Sequence, residues 1–414
     1  MVEQIEEQYR DLYVKAGLLL TPGAPVNKKD LFSGRIEQLS KVVTTINAQG
    51  LHPIIFGERG VGKTSIANIL KETLDRVGFE QVIVNRTNCN SSDDYSTVWN
   101  RALGQVAYIE ESHTMGFDSQ PQQLSIPLAE KVPEKVTPSE VLNIFRKSIA
   151  PAVFIFDEFD RITNNNAKNL FADTIKAISD HAINATLILV GVGETIDELI
   201  ESHESIARSL VQVKIPRMNT SELDGIIRKA LNELGMNIDN EARQIILQLS
   251  QGLPYYTHLI GLNAIRATLL TNSLSVKLGD VMAGIETAVG DAQHSAVSAY
   301  QEAVRSSYKT HLYKEVLLAC ALVKGDELGF FAASDLRAPL SRILDRQVDI
   351  AAFTQHLEKF CSEQRGNILI KIGAKRNFRY RFKNPLLKPF VVIRGYVDGL
   401  LKNSLLEVLP SWET

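Results

Sequence analysis

The chain has 414 residues and a net charge of −3, with 44% hydrophobic and 22% charged residues, which is typical of a globular protein with two or three domains. It has no apolar run of the roughly 20 residues that a membrane-spanning helix needs, and its acidic start, "MVEQIEEQYRDLY", is unlike a secretory signal. Its three cysteines are far apart, which argues against a disulfide scaffold or a zinc site and favours a cytoplasmic protein without a membrane partner.

Residues 1–30 are expected to form a short helix and a loop, and the first motif follows at residues 57–65. An apolar run at 53–56 predicts a strand before it, and the sequence after Lys63 predicts a helix. Glycines allow a backbone to wrap closely around a phosphate chain, and the start of the helix adds free N–H groups. The predicted nucleotide-binding residues are Gly57, Glu58, Arg59, Gly60, Val61, Gly62, Lys63, Thr64 and Ser65.

Within this loop, the residue types at the end of the motif point to a nucleotide triphosphate. Lys63 is expected to reach the β- and γ-phosphates, and the hydroxyl of Thr64 is expected to bind Mg²⁺. The alternative is an ordinary turn between a strand and a helix.

The next segments continue the alternation of strands and helices that predicts a parallel sheet. Residues 81–89 read as the second strand, and a capped helix follows it. Residues 108–137 have no clear period and contain three prolines, so we expect a long surface insertion or flexible loop. Thr137 and Pro138 then begin another helix.

Residues 152–160, "AVFIFDEFD", form a continuous apolar run that ends in acids. Such a run predicts a strand buried on both faces of a parallel sheet, whose carboxyl end is where ligands bind. Asp157 is expected to hold Mg²⁺, and Glu158 to polarise the attacking water. The alternative for Glu158 is a solvated acid at a strand end.

With both motifs in place, the chain resembles AAA+ ATPases, and within them the origin-recognition initiators and the related STAND switch ATPases. Residues 31–42 resemble the segment that encloses the adenine, marked by Arg35. Residues 205–218 resemble the segment with the arginine finger, for which Arg208 is the candidate and Arg217 a weaker one. Residues 251–261, with Pro254, resemble the Gly-x-Pro start of a lid helix.

The resemblance also shows departures. The position of the γ-phosphate sensor falls on Glu194 or Thr195, and the lid position that often carries an arginine is occupied by Tyr255 or a neighbour. The departure in the lid suggests slow turnover or a nucleotide-locked switch. His258, one turn after Pro254, is either a phosphate contact or a packed side chain.

Residues 293–402 read as three helices, a hairpin and a helix, which predicts a winged-helix domain. Nine basic residues lie between positions 371 and 402, with a single acid among them. A basic hairpin of this kind can contact DNA phosphates, although it can also be solvated or face the ATPase core or a partner protein. The candidate DNA-binding residues are Lys375, Arg376, Arg379 and Arg381.

The expected architecture is an α/β P-loop NTPase of the AAA+ type with a parallel sheet, followed by an α-helical lid and a winged-helix domain. The expected parts are an N-terminal helix and loop (1–30), the ATPase core (31–217), the lid (218–292), the winged helix (293–402) and a C-terminal tail (403–414).

Two functions are compatible with these motifs, and both use ATP or ADP with Mg²⁺. The first is a DNA-associated ATPase of replication initiation or transposition that self-assembles when it binds ATP. The second is a STAND-like signalling switch acting on a separate protein, for example in phage defence. The basic hairpin favours the first, and the Gly-Leu-Pro start of the lid helix favours the second.

Overall fold

The computed structural model describes residues 6–25, 34–76, 83–112, 122–127, 133, 135–147, 151–193, 204–306, 312–326, 329–374 and 377–401. In its first half the strands are β1 (His52–Gly57), β2 (Ile83–Asn88), β3 (Ala107–Ser112), β4 (Gln122–Pro127), β5 (Ala152–Asp157), β6 (Ala185–Val192) and β7 (Leu210–Lys214). Five of them form a parallel sheet in the order β2-β5-β6-β1-β7. The strands β1 and β5 are buried at every position, as expected for a sheet that is covered on both faces.

The register of this sheet brings the two sequence motifs to one edge. Gly57 at the end of β1 pairs with Val192 of β6, and Asp157 at the end of β5 pairs with Asn88 of β2. Because all five strands run in the same direction, the loop after β1 and the acids after β5 emerge at the same edge of the sheet, on either side of β6.

Helices cover both faces of the sheet. They include α2 (Ile36–Ile46), α3 (Lys63–Arg76), α4 (Tyr95–Gly104), α5 (Pro138–Lys147) and α6 (Asn165–Asp180), whereas the N-terminal helix α1 (Glu7–Leu19) packs on later helices. Alternate residues of β5 point into two separate cores: Val153 and Ile155 join one of them, while Phe154 and Phe156 join the other, where they pack around Trp99. The alternation of strands and helices was therefore predicted correctly.

The prediction for residues 108–137 was wrong in part. Strands β3 and β4 pair as an antiparallel hairpin outside the main sheet. These six-residue strands carry few apolar residues, so the sequence shows no extended hydrophobic period that would predict them.

The region after β7 is helical, as expected. It contains α7 (Thr220–Leu234), α8 (Asn240–Ser250), α9 (Pro254–Leu270) and α10 (Leu278–Asp291), with a two-residue strand pair, β8 (Asn237–Ile238) and β9 (Ser275–Val276). The helix α9 has Pro254 at its first position, where a missing N–H costs nothing. The N-terminal helix α1 packs on this region, because Lys15 donates to the Glu233 carbonyl at 2.5 Å and the Arg266 guanidinium lies over the Tyr13 ring.

The last part contains α11 (His294–Val304), α12 (Tyr313–Leu322), β10 (Phe331–Ala332), α13 (Arg337–Leu344), α14 (Thr354–Phe360), β11 (Leu369–Ile372), β12 (Arg379–Phe382) and α15 (Leu387–Val397). The predicted hairpin is present as the antiparallel pair β11–β12, and β10 adds a third strand next to β12. Within the described ranges, no helix has the length and apolar character needed to cross a bilayer.

Candidate functional site

A cavity of about 970 Å³ lies at the sheet edge where the two motifs meet. Its wall combines segments that are far apart in the sequence: the N-terminal segment 21–25, the loop after β1, the acids after β5, the helices α7 and α9, and the C-terminal segment 383–387. The predicted site residues in its wall are Arg35, Arg59, Gly60, Gly62, Lys63, Thr64, Ser65, Asp157, Glu158 and Pro254, whereas Gly57, Glu58 and Val61 lie behind them.

The loop after β1 has a conformation that needs glycine. Gly60 and Gly62 have φ values of 87° and 97°, which L-residues with side chains rarely adopt. A Cβ at Gly62 would meet nothing closer than the Pro254 ring, 4.0 Å away, so the backbone here is open to a ligand. The start of α3 then directs its free N–H groups into the same space.

Lys63 supplies a buried positive charge at the bottom of the cavity. Its ammonium donates to the carbonyl of Gly57 at 3.0 Å and to that of Glu58 at 2.7 Å. Burial lowers the pKa of Lys63 to about 8, although the nearby carboxylates of Asp160 and Asp157 oppose this shift. An anionic ligand in the cavity would favour the protonated, positively charged form of Lys63.

Asp157 is buried, and both of its oxygens already accept hydrogen bonds. Oδ2 accepts from Nη2 of Arg86 at 2.7 Å and from its Nε at 3.3 Å, while Oδ1 accepts from the backbone N–H of Glu158 at 2.8 Å. Arg86 also donates to Asn68 of α3 at 2.7 Å. Arg86 was missed in the sequence, because only the pairing of β2 with β5 places it beside Asp157.

Glu158 has the left-handed backbone conformation, with φ 55° and ψ 36°, which costs about 1–3 kcal/mol for a residue other than glycine. The hydrogen bond from its N–H to Asp157 helps to hold this turn. Its half-exposed carboxylate accepts from Arg161 at 2.9 Å. The strained turn therefore presents Glu158 to the cavity next to a cation that the sequence analysis did not identify.

Arg35 holds the loop rather than projecting freely into the cavity. Its guanidinium is 2% exposed and donates to the carbonyls of Val61 and Pro216, at 3.2 and 2.6 Å. Its backbone N–H donates to Glu222 of α7 at 2.8 Å. Burial lowers the pKa of Arg35, and the charge of Glu222 opposes that shift. Arg35 thus ties the phosphate-type loop to the start of the helical region.

Arg217 makes a second tie between the same two regions. Its Nε donates to the carboxylate of Glu58 at 2.8 Å, and its Nη1 donates to the carbonyl of Gln251 at 3.1 Å. Both of these bonds lie behind the cavity wall, so Arg217 positions the loop within its own chain.

The C-terminal region closes the cavity from the opposite side. Leu386 packs against Gly60, and the carbonyl of Leu386 accepts a hydrogen bond from the Tyr256 hydroxyl on α9. Lys383 and Asn384 line the cavity. Behind them, Lys388 donates to the Val323 carbonyl at 2.9 Å, and burial lowers the pKa of Lys388 to about 8.

The described basic residues of the β11–β12 hairpin are engaged within the chain. Arg379 pairs with Asp326 at 2.9 Å, and the Arg381 guanidinium lies 4.6 Å from the centre of the Phe330 ring. Lys371 pairs with Glu358 at 2.5 Å. The predicted hairpin-tip residues Lys375 and Arg376 lie outside the described residues.

Arg208 lies away from the cavity wall, with its side chain 74% exposed and paired with Asp180 at 2.5 Å. An arginine that acts on a neighbouring subunit would need such exposure. The two sensor candidates, Glu194 and Thr195, lie outside the described part of the chain.

Comparison with known proteins supports this reading of the fold. Residues 47–200 match a protein family described as an AAA domain, and no curated protein matches the sequence. A Walker-type ATPase of Pyrococcus abyssi is 14% identical, with a TM-score of 0.52 over 90% of this chain and 99% of that one.

Two further solved structures are similar over most of their length. They are the Aeropyrum pernix ORC1 protein in complex with DNA (13% identity, TM-score 0.47, 92% of this chain and 97% of that one) and the Thermotoga maritima RuvB Holliday junction branch migration motor (15%, 0.44, 86% and 95%).

The sheet order, the loop before α3 and the match over residues 47–200 establish the P-loop NTPase fold of the AAA+ type. The helical region that follows is consistent with it, so the predicted α/β P-loop NTPase fold is confirmed, whereas the winged-helix domain stays a prediction.

Proposed function

We propose that this protein is an ATPase that binds ATP with Mg²⁺ in the cavity and hydrolyses it slowly. The observation that carries the proposal is the meeting of Lys63, Thr64, Asp157 and Glu158 on one wall of a cavity that is large enough for a nucleotide. A loop with two positive-φ glycines and a buried ammonium has the chemistry of a polyphosphate site.

Each residue has a defined part in this proposal. Backbone N–H groups of the loop and the ammonium of Lys63 bind the phosphates. The Thr64 hydroxyl and Asp157 hold Mg²⁺, which would neutralise charge on the phosphate oxygens. Glu158 orients the attacking water and accepts its proton, for which its carboxylate must leave Arg161.

The nucleotide state is proposed to change how the C-terminal region sits on the cavity. Leu386 contacts the loop, and Tyr256 joins the helical region to the same segment. A ligand that moves the loop therefore alters these contacts. We propose that ATP binding releases the C-terminal region and promotes a homo-oligomer in which Arg208 reaches the γ-phosphate of a neighbouring subunit.

Two proposals describe what the C-terminal region binds: duplex DNA or a separate protein. If the C-terminal region is a winged helix that binds duplex DNA, Lys375 and Arg376 are its first candidate contacts. Lys371 and Arg379 each form an ion pair within the chain, with Glu358 and Asp326. These pairs favour the second proposal, a STAND-like switch in which this region holds a closed state and the partner is a separate protein.

The first experiment tests nucleotide binding and hydrolysis separately, with the wild type beside Glu158→Gln. The variant should bind ATP as tightly as the wild type, but its rate of hydrolysis should be lower by a factor of about 10² or more. A matched control is Glu37→Gln, which changes an exposed acid of α2 and should leave both unchanged. Wild-type protein that binds no ATP, or a variant that hydrolyses it normally, would contradict the proposal.

The ATP-locked variant then separates the two outputs. Size measurements and duplex DNA binding are compared with and without MgATP at two salt concentrations. Assembly and DNA binding that weakens steeply with salt support the DNA-associated proposal. A protein that changes shape with ATP but ignores DNA supports the switch that acts on a protein partner.

A further inference from the structure

One buried histidine in the cavity wall has a single defined tautomer. The backbone N–H of Thr21 donates to Nδ1 of His258 at 3.2 Å. Because a backbone amide can only donate, Nδ1 must be the acceptor, and the proton of a neutral ring is then on Nε2. The N-terminal segment therefore fixes His258 as a donor at Nε2.

The ring is neutral and nearly enclosed. His258 is 6% exposed, and burial lowers its pKa to about 4, with no nearby charge contributing to the shift. Thr21 is its only hydrogen-bond partner within the described ranges. Since His258 also lines the cavity, its Nε2–H is available to a ligand there.

The surroundings of His258 differ from the phosphate end of the cavity. Lys63 and Asp157 mark that end, with Pro254 close to Gly62 on the lid side. His258 lies one turn further along α9 and is bonded to Thr21, whose neighbours Pro22 and Ala24 line the cavity, as do the apolar side chains of Met218 and Ile226. An oriented neutral donor in a wall that contains apolar side chains suits a flat heteroaromatic ring better than a polyanion.

We propose that His258 donates its Nε2–H to an unprotonated ring nitrogen of the purine base of the bound nucleotide, and that Thr21 holds it in the tautomer that can do so. This inference rests on the proposed nucleotide function. It makes His258 a specificity-determining residue and couples recognition of the base to the N-terminal segment.

The first test separates the base from the phosphates. Calorimetry measures the binding of MgATP and of magnesium tripolyphosphate, which has no base, to wild type, His258→Phe and His258→Gln. We expect His258→Phe to weaken MgATP about three- to tenfold, the loss expected for one neutral hydrogen bond, and to leave tripolyphosphate unchanged. His258→Gln, which retains an N–H donor, should recover part of the loss.

Three outcomes would overturn the inference. Equal losses for both ligands would mean that His258 contacts phosphate or only supports the fold. An unchanged MgATP affinity in folded His258→Phe would mean that it makes no contact with the base. Wild-type protein that binds neither ligand would overturn the proposed function as well. His181→Phe, an exposed position after α6, is the control and should bind both ligands normally.

A second test needs no variant that could fail to fold. ATP analogues in which carbon replaces one ring nitrogen at a time, at N1, N3 or N7, are compared on the wild-type protein. One of them should bind about three- to tenfold more weakly than ATP, and His258→Phe should not distinguish that analogue from ATP. Equal binding of all three analogues to the wild type would refute the inference.

Discussion

The Cδ2 atom of Leu386 lies 2.7 Å from the position that a Cβ of Gly60 would occupy. Leu386 belongs to the C-terminal region, and Gly60 belongs to the loop that we propose binds phosphate. With φ at 87° and a side chain packed against its α-carbon, Gly60 leaves no room for a larger residue. A movement of the loop would therefore alter its contact with the C-terminal region.

The first prediction tests this coupling through Tyr256, whose hydroxyl donates to the carbonyl of Leu386. Tyr256→Phe retains the ring but leaves a buried carbonyl without its donor, so we expect a stability loss of about 1–3 kcal/mol. Because the C-terminal segment is then held less firmly, bound ADP should dissociate faster. Denaturant unfolding and stopped-flow release of a fluorescent ADP measure the two effects.

Tyr300→Phe is the matched control, since Tyr300 is a buried tyrosine that packs on Phe390 within the C-terminal region and does not line the cavity. It should lower stability without changing ADP release. If Tyr256→Phe released ADP at the wild-type rate, the closing role of the Leu386 segment would be wrong.

The sequence predicted the parts of the site whose signals are local. The apolar runs of β1 and β5 and the glycines between β1 and α3 each specify their structure within a few residues. Strand pairing then follows from the parallel arrangement. The sequence alone therefore predicts that Lys63 and Asp157 lie close together.

The parts that were missed depend on contacts between distant segments. Arg86 meets Asp157 only because β2 pairs with β5 in one register. The left-handed turn at Glu158 has no local signal, since glycine would ordinarily be expected there. Nor does the sequence around Leu386 indicate that it packs on Gly60, because that contact depends on how α15 and its neighbours dock.

The second prediction concerns Arg86, whose charge is paired with Asp157. Arg86→Met leaves a buried carboxylate without its partner, and stability should fall by about 1–3 kcal/mol. A Mg²⁺ ion next to Asp157 would no longer be repelled by the guanidinium. The Mg²⁺ concentration that half-saturates nucleotide binding should therefore fall by about fivefold, measured by titrating Mg²⁺ at fixed ATP.

Arg101→Met provides a close control, because Arg101 forms an ion pair with the buried Asp93. The side chains of Arg101 and Asp93 are 31% and 2% exposed, and those of Arg86 and Asp157 are 29% and 3% exposed. It should cost comparable stability and leave the Mg²⁺ dependence unchanged. Equal Mg²⁺ responses in the two variants would show that Arg86 acts on stability alone.

The third prediction follows from Lys63, whose pKa burial lowers from 10.5 to about 8. Between pH 8 and 10.5 the unfolded chain binds more protons at this group than the folded chain, so the free energy of unfolding rises with pH in that range. The destabilisation by buried Lys63 is therefore complete below pH 8 and disappears as the pH approaches 10.5. Bound phosphate favours the charged form and raises the pKa again. Nucleotide binding at pH 8.5 should therefore take up protons, which calorimetry in buffers of different ionisation enthalpy measures directly.

Lys63→Arg distinguishes this source of protons from others, since a guanidinium stays protonated at pH 8.5. Whatever affinity the variant retains, its binding should show less proton uptake than that of the wild type. Identical uptake in both proteins would mean that the protons come from another group.

The fourth prediction concerns Arg208 as a residue that acts on a neighbouring subunit. Its side chain is 74% exposed and its bond to Asp180 lies on the surface, so Arg208→Ala should change stability by less than about 1 kcal/mol and leave ATP affinity unchanged. If Arg208 completes the site of a neighbouring subunit, the rate of hydrolysis should fall about 10³-fold or more.

Mixing Arg208→Ala with protein that has an intact Arg208 but carries Glu158→Gln should restore part of the activity, because an inactive subunit can still donate its arginine. Asp180→Ala, which only frees Arg208, should not reduce hydrolysis. If Arg208→Ala hydrolysed ATP at the wild-type rate at every protein concentration, Arg208 would have no part in the site of a neighbouring subunit.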